Sequence, residues 1–249
     1  MFRQVRDKSP QAVIFVDAVH YAPHMAVDVQ DLDCDFLVCS TFKFFGPHCG
    51  MLFGKSHLMT TLRPYKLAVS ADTLPGPPFP NQFQRWETGT LNFEGLAGIV
   101  AVIEYIAGLG VRFGQAKASD ELRSKIVQGY AAIQGHEGKL TQKFLSGLSQ
   151  IPNLTLYGNK EPTSTLDGKR TPTFALRCTK HARAEELAEA LLSEHKIISG
   201  AGHFYAKYFA EGLNLMETGG YVRIGFAHYN TEQEIDRVLQ ALSEIANKL

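Results

Sequence analysis

The residue best suited to covalent chemistry is a lysine set among aromatic rings. Lys43 lies in the run STFKFFGP, residues 40–47, which directly follows an apolar stretch. Burial of an ammonium group favours its neutral form, and only the neutral amine attacks an aldehyde to form an imine. The alternative is a lysine whose stem packs on the rings while its ammonium group reaches water. The local run leaves both interpretations open.

A carboxylate at the end of another apolar run is the second candidate. Asp17 ends the run AVIFVD, residues 12–17, which is typical of a strand buried on both faces of an α/β sheet. Such a carboxylate could pair with the protonated nitrogen of a pyridine ring, which lets the ring accept electrons released at a substrate carbon. It could also cap a helix or form an ion pair in a loop. Asp17 therefore supports cofactor chemistry only together with Lys43.

Five ordered segments carry a resemblance to a known family. They are VDAVHYAPH (16–24, followed by Asp28), DFL (35–37), STFKFFGP (40–47), ETGTLN (87–92) and VRIGFAHYNT (222–231). In this order they resemble the class V aminotransferase family of enzymes dependent on pyridoxal 5′-phosphate (PLP), specifically its cysteine desulfurase-like branch. The resemblance implies an α/β chain: a partial large domain of PLP-transferase fold type I, with a mixed, mostly parallel sheet and helices, followed by a small α+β C-terminal domain.

The resemblance also implies a role for each residue of the cofactor site. Lys43 matches the lysine that forms an imine with PLP, and Asp17 matches the partner of the pyridine nitrogen. His20 stands near the position of the cofactor's phenolic oxygen, and Ser40 matches a hydroxyl that binds the phosphate. Thr90 matches a phosphate ligand donated across a dimer interface, so the resemblance implies a homodimer with shared active sites.

The implied substrate is an amino acid, with reaction at its α- or β-carbon by transamination, racemisation or β-elimination. Arg223 matches the arginine that holds the substrate's α-carboxylate, a task suited to a planar bidentate donor. Without the resemblance, an arginine in a half-polar strand would be interpreted as a surface residue. The proton at the substrate carbon would be shuttled by Lys43.

Two residues depart from the desulfurase pattern. Tyr205, in GHFYA (202–206), occupies the position of the nucleophilic cysteine, and a phenol cannot accept sulfur to form a persulfide. Phe42 stands where many desulfurases have a histidine that binds phosphate. Cysteine desulfuration is therefore kept as an alternative below the general PLP enzyme. A second alternative is a non-catalytic chain that binds a partner through the dimer surface.

Only sixteen residues precede Asp17, whereas the resemblance implies a long preceding segment with a phosphate-binding turn and a ring that stacks on the cofactor. A truncated gene model, a fragment, or a half-enzyme completed by another chain would each explain this difference. We expect truncation.

Three short apolar runs must position the candidate residues. The runs 12–17, 35–40 and 49–54 predict strands that end in small or polar residues. Helical patterning covers 92–107 and 115–150, although Gly129, Gly135 and Gly138 weaken the second helix. Residues 64–85, rich in Pro and Gly, predict a long surface segment.

A break at 151–153 predicts a domain of residues 1–150 followed by a smaller domain of residues 151–249. The second domain alternates strands and helices. Its predicted elements are strands at 173–178 and 221–227 and helices at 183–194 and 231–248. Thr231, three residues before Glu234, predicts the N-cap of the last helix.

Composition narrows the class of protein. The 249 residues carry 25 basic and 25 acidic side chains, which argues against an electrostatically bound nucleic acid. The four cysteines lack metal-ligand spacing and disulfide density, so we expect reduced thiols and no metal. No apolar run approaches the roughly 20 residues needed to span a bilayer, so we expect a soluble cytoplasmic protein with no membrane partner.

Overall fold

The computed structural model describes residues 2–65 and 86–248, so the predicted surface segment 64–85 lies almost entirely outside the described residues. The chain has an α/β fold and divides into two compact units, residues 1–130 and 131–249, each described here by itself. The division falls inside a long helix, before the domain boundary predicted at residue 150. A helix of that length can serve both units because each end packs on a different set of side chains.

The secondary-structure elements follow the chain order. The helices are α1 (Phe2–Lys8), α2 (Val29–Leu32), α3 (Ser56–Thr61), α4 (Phe93–Arg112), α5 (Leu122–Leu148), α6 (Ala184–His195), α7 (Lys207–Gly212) and α8 (Glu232–Asn247). The strands are β1 (Phe15–Asp17), β2 (Phe36–Ser40), β3 (Gly50–Gly54), β4 (Leu154–Tyr157), β5 (Thr173–Cys178), β6 (Gly200–Gly202) and β7 (Tyr221–Gly225). A 3-10 turn, Thr41–Lys43, follows β2 directly.

The first unit contains a mixed sheet in the order β1-β2-β3. Strands β1 and β2 are parallel, and Asp17 pairs with Val38. Strands β2 and β3 are antiparallel, and Ser40 pairs with Gly50. Because parallel strands end at the same edge of a sheet, the carboxyl ends of β1 and β2 present Asp17 and the turn after Ser40 on one side.

The expectation that β1 is buried on both faces is wrong for the described chain. Phe15 is 60% exposed and Leu52 of β3 is 53% exposed, whereas Leu37 of the central strand is 4% exposed. The physical reason is that β1 and β3 are the edge strands of this sheet. Apolar composition alone does not show whether a neighbour covers a strand.

A buried aspartate ties the beginning of the first sheet together. The Asp35 carboxylate accepts hydrogen bonds from Arg6 at 2.6 Å and from the Ile14 N–H at 2.7 Å, and its other oxygen lies 3.3 Å from the Lys55 ammonium. Burial alone would raise the pKa of the Asp35 carboxyl, but these hydrogen bonds outweigh burial and hold that pKa below its ordinary value. Asp35 thus joins α1, the start of β1 and the residue after β3.

Helices α4 and α5 cross at two glycines. A Cβ on Gly110 would overlap the carbonyl oxygen of Lys125, and a Cβ on Gly129 would overlap the carbonyl oxygen of Ile106. The expectation that glycines weaken this helix is therefore incomplete, because α5 runs unbroken through Gly129, which permits the close approach of the two backbones.

Helix α4 corrects the statement about apolar runs. Its 20 residues include a window of mean hydropathy 1.6, which makes it long and apolar enough to cross a membrane by length and composition. Glu104 interrupts the apolar residues, so a count of consecutive residues misses this helix. One such helix is weak support for a membrane span, and α4 also packs buried Val102 and Ile106 within the first unit.

The second unit has an antiparallel sheet in the order β4-β5-β7-β6. Helices α5, α6 and α8 pack their apolar side chains on it, around the contacting rings of Phe144, Phe174 and Phe226. The predicted N-cap of the last helix is confirmed, since Thr231 and Glu234 form a reciprocal capping box. The four cysteines are free, and Cys39 and Cys178 are buried in strands.

The helix crossing predicts opposite effects for two glycine substitutions in α5. Gly129→Ala should lower the free energy of unfolding by about 1–3 kcal/mol, because its methyl group meets backbone. Gly135→Ala, where an added Cβ meets nothing within 4 Å, should be neutral or stabilise by up to about 1 kcal/mol. Urea unfolding followed by circular dichroism measures both. Equal effects would contradict the close approach.

The Asp35 cluster predicts a pH dependence of stability. Because the folded-state pKa of Asp35 is lowered, its contribution is fully present above the pKa of an unfolded aspartate, about 4, and is lost as pH falls through the folded value. Asp35→Asn should lower the free energy of unfolding at neutral pH by about 2 kcal/mol and flatten its decline in acid. Urea unfolding at a series of pH values tests this, with the exposed Asp7→Asn as control. Identical curves for the two variants would refute the role of Asp35.

Candidate active site

The segment that carries Lys43 is held by a fully buried threonine. The Thr41 hydroxyl lies 2.7 Å from the Pro47 carbonyl oxygen and 2.9 Å from that of Cys49, and it donates its hydrogen to this pair. The Thr41 N–H donates to Cys49, and the Thr41 carbonyl accepts the Gly46 N–H at 2.9 Å. Residues 41–49 therefore form a closed loop, called the lysine loop below, whose shape is set by Thr41.

The lysine loop also rests on α4. A Cβ on Gly46 would lie 2.8 Å from the side chain of Val102, so this close contact requires glycine. The ring of Phe45 packs edge-on against Tyr105, with centroids 5.9 Å apart. Phe45 has a φ of 72°, a left-handed conformation that is costly for an aromatic residue and that concentrates at functional sites. The loop is thus fixed by its own backbone and by a helix.

Lys43 lies at the end of the 3-10 turn and is exposed, not buried as one of the two interpretations required. Its ammonium nitrogen lies 5.7 Å from the centroid of the Phe42 ring, within the range of a cation–π contact. The exposed ammonium beside an aromatic ring corresponds to the alternative interpretation from the sequence. Of the three flanking rings, only Phe44 is buried.

Asp17 and Ser40 lie at the same edge of the sheet as Lys43. One carboxylate oxygen of Asp17 accepts the Val19 N–H at 2.9 Å, a local contact in the turn after β1 and not a helix cap. Ser40 is partly exposed and precedes the 3-10 turn. The parallel pairing of β1 and β2 thus places a carboxylate and a hydroxyl at the same edge of the sheet, where the turn that carries the amine begins.

The other two candidates of the first unit lie in exposed segments. His20 is in the turn after β1, three residues beyond Asp17. Thr90 is exposed and lies two residues before Asn92, whose side chain caps the N-terminus of α4 by accepting the Gly95 N–H. Their predicted roles stay predictions.

Arg223 belongs to the second unit, in the centre of β7 between Ala175 of β5 and Gly200 of β6. Its guanidinium carbon lies 4.1 Å from the centroid of the Phe204 ring. Phe204 in turn packs beside Tyr221, with centroids 5.5 Å apart. One face of the guanidinium is covered by an aromatic ring, so its N–H edge is the part left to bind a planar anion.

Tyr205 follows this ring on a strained backbone. Phe204 has a φ of 48° and Tyr205 a φ of 65°, so two successive residues other than glycine are left-handed. The Tyr205 side chain is 101% exposed. Tyr205, predicted to occupy the position of the desulfurase cysteine, therefore stands in a tightly constrained turn.

Sequence reasoning missed two residues of the lysine loop. From the sequence, Thr41 was included only as part of the motif around Lys43. The signal that could have identified it is a threonine placed between a buried strand and a loop that returns to the next strand. His48 was not singled out at all. Its ring stacks on Phe42, with centroids 4.0 Å apart and planes 20° apart.

Comparisons with known proteins give consistent matches. The sequence profile described as "Aminotransferase class-V" matches residues 2–129 and 124–238. A cysteine desulfurase of Pectobacterium atrosepticum is 30% identical over 246 residues, covering 96% of this chain and 52% of that protein. The aminotransferase-like protein FGM3 of Gibberella zeae is 28% identical over 236 residues, covering 95% and 52% respectively.

Among solved structures, the apo cysteine desulfurase from Thermococcus onnurineus NA1 matches with a TM-score of 0.76 and 25% identity. The match covers 97% of this chain and 54% of that one. The cysteine desulfurase CsdA from Escherichia coli, with a TM-score of 0.69 and 23% identity, shares the fold. The chain spans about half the length of the curated relatives it matches.

Proposed function

Because the chain belongs to the class-V aminotransferase family, we propose that it forms part of a PLP-dependent enzyme acting on an amino acid. The observation that carries this proposal is the parallel pairing of β1 with β2, which supports a common edge for Asp17 and Lys43. The reaction would be a transamination, racemisation or β-elimination.

The donor set at this edge fits the groups of PLP. Asp17 offers a carboxylate to the ring nitrogen, His20 an imidazole to the phenolic oxygen, Ser40 a hydroxyl to the phosphate, and Lys43 a primary amine to the aldehyde. When bound, PLP supplies an electron-withdrawing ring that stabilises negative charge at the substrate's α-carbon.

The protein's own residues would position charges and move one proton. Asp17, whose carboxylate accepts the Val19 N–H, holds an anionic acceptor at the end of β1. Lys43 has a flexible stem and an exposed amine, which suits it to take a proton from the substrate's α-carbon and return it. The rigid lysine loop keeps that amine near the edge while its side chain moves.

Substrate binding would use Arg223. A guanidinium with one face on Phe204 can offer two parallel N–H groups to an α-carboxylate. The stacked ring restricts the guanidinium plane, so less side-chain entropy is lost on binding.

The desulfurase activity named for the relatives does not transfer directly to this chain. Tyr205 cannot carry a persulfide, and Cys34, Cys39 and Cys178 are buried, whereas Cys49 is partly exposed but lies on the lysine loop and not on the turn of Tyr205. A sulfur relay through the protein would require an accessible thiolate. We therefore keep the amino-acid-directed PLP enzyme as the function and desulfuration as the lesser alternative.

Borohydride reduction tests the assignment of Lys43. Incubation with PLP and then borohydride should attach the pyridoxyl group to the peptide that contains Lys43, because reduction fixes an imine as a stable amine. Lys43→Ala should remove the label, whereas Lys139→Ala, at an exposed position of α5, should keep it. Peptide mass spectrometry reads the result, and the same labelling of both variants would overturn the assignment.

We further propose that the enzyme is a homodimer with shared active sites. Thr90 lies three residues before the first residue of α4. The exposed side chains of Phe93, Leu96 and Val100 recur along one face of that helix at the spacing of an apolar stripe. A second copy that covers this stripe would bring Thr90 close to the partner's site, as the family resemblance implies. The same face would also serve a non-catalytic chain that binds a partner.

A charge on this stripe should weaken self-association. Val100, which is 55% exposed, becomes desolvated if a second copy covers it, so Val100→Glu should shift dimers toward monomers by at least about tenfold in dissociation constant. Ser124→Glu, on an exposed position of α5, is the control and should leave the mass unchanged. Size-exclusion chromatography with light scattering measures the mass. A wild-type chain that stays monomeric at high concentration would sink the proposal.

A further inference from the structure

His48 and Phe42 form the closest ring stack of the lysine loop. Their centroids are 4.0 Å apart and their planes differ by 20°. Stacking uses one face of the imidazole, so both ring nitrogens remain on the perimeter, where they can meet a ligand. Both residues are exposed, so this pair is not part of the core.

The backbone pairing of the loop places His48 opposite Phe42, the residue directly before Lys43. Ser40 pairs with Gly50, and the Thr41 N–H donates to the carbonyl of Cys49 at 3.0 Å. His48 directly precedes Cys49 on the returning side of the loop, and its ring stacks on that of Phe42 on the outgoing side. The stack therefore holds the imidazole across the narrow loop from the turn that carries Lys43.

The chemistry of this group of side chains favours an anion. Ser40 can donate a hydroxyl hydrogen, Lys43 carries an ammonium group, and His48 can donate from its imidazole. Residues 40–50 contain no Asp or Glu to neutralise them. Phe42 itself has no donor, but the centroid of its ring lies 4.0 Å from that of His48 and 5.7 Å from the ammonium nitrogen of Lys43.

We propose that His48 is a phosphate-binding residue, and that it donates an imidazole N–H to the phosphate of PLP from its stack on Phe42. This role rests on the proposed function, because it needs PLP at the edge formed by Asp17 and Lys43. Phe42 then acts as a positioning residue, since it fixes the plane of the imidazole. The phosphate would be held jointly by Ser40 and His48.

Two ligands that differ only in the phosphate group test this role by their binding affinities, without any catalytic reaction. Calorimetric titration of the full chain with pyridoxamine 5′-phosphate and with pyridoxamine separates the phosphate contribution from the ring contribution. His48→Phe keeps an aromatic ring for the stack but removes the donor. It should weaken binding of the phosphorylated ligand at least about tenfold, as expected for a hydrogen bond to a charged group, and change pyridoxamine affinity little.

Two further variants serve as controls. His48→Gln keeps an N–H donor and should retain most of the phosphate-dependent affinity. His57→Phe makes the same exchange at an exposed position of α3 and should bind both ligands as the wild type does.

The outcomes separate this proposal from the proposed function. Equal affinity of wild type and His48→Phe for pyridoxamine 5′-phosphate would overturn the role of His48 and leave the proposed function standing. An equal loss for both ligands would also overturn it, because the effect would then come from loop shape. A wild-type chain that binds neither ligand would overturn both.

Discussion

The candidate site depends on one buried hydroxyl. Thr41 closes the lysine loop by contacting the carbonyl oxygens of Pro47 and Cys49, while its own backbone receives and donates the hydrogen bonds that bring β2 back into β3. Both carbonyls also accept backbone N–H groups, so the hydroxyl adds a second contact to each, and a buried hydroxyl left without these partners would cost about 1–3 kcal/mol. Lys43 can therefore be exposed and mobile at its tip while the backbone that carries it stays fixed.

Local signals made part of this fold predictable. Strand β5 has its predicted bounds, and Thr231 caps α8 as predicted, because alternation and a capping box are encoded within a few residues. Strands β1 and β2 were predicted with Asp17 and Ser40 near their ends, and their parallel pairing brings those ends to one edge. For the candidate site, the sequence thus predicted the strands that carry Asp17 and Ser40, while the roles of these residues stay predictions.

The remainder depended on contacts distant in sequence. Burial of Phe15 was predicted from its apolar surroundings, and the run around Lys43 left its exposure open. Exposure is decided by what lies over the strand, which a local run does not encode. Gly129 lowers the helix propensity of α5, and propensity takes no account of a neighbouring backbone. The close approach of the Ile106 backbone explains why glycine stands there. The stack of His48 on Phe42 depends on the closed conformation of the lysine loop. The sequence around either ring therefore does not predict the stack.

The turn at Phe204 and Tyr205 has a consequence for how this chain can change. Two successive left-handed residues cost about 1–3 kcal/mol each, and glycine or asparagine would adopt the same backbone more easily. Phe204 recovers part of that cost through its contacts with Arg223 and Tyr221, whereas Tyr205 points fully into solvent. Position 205 therefore adds no packing within this unit that would offset the cost of its backbone.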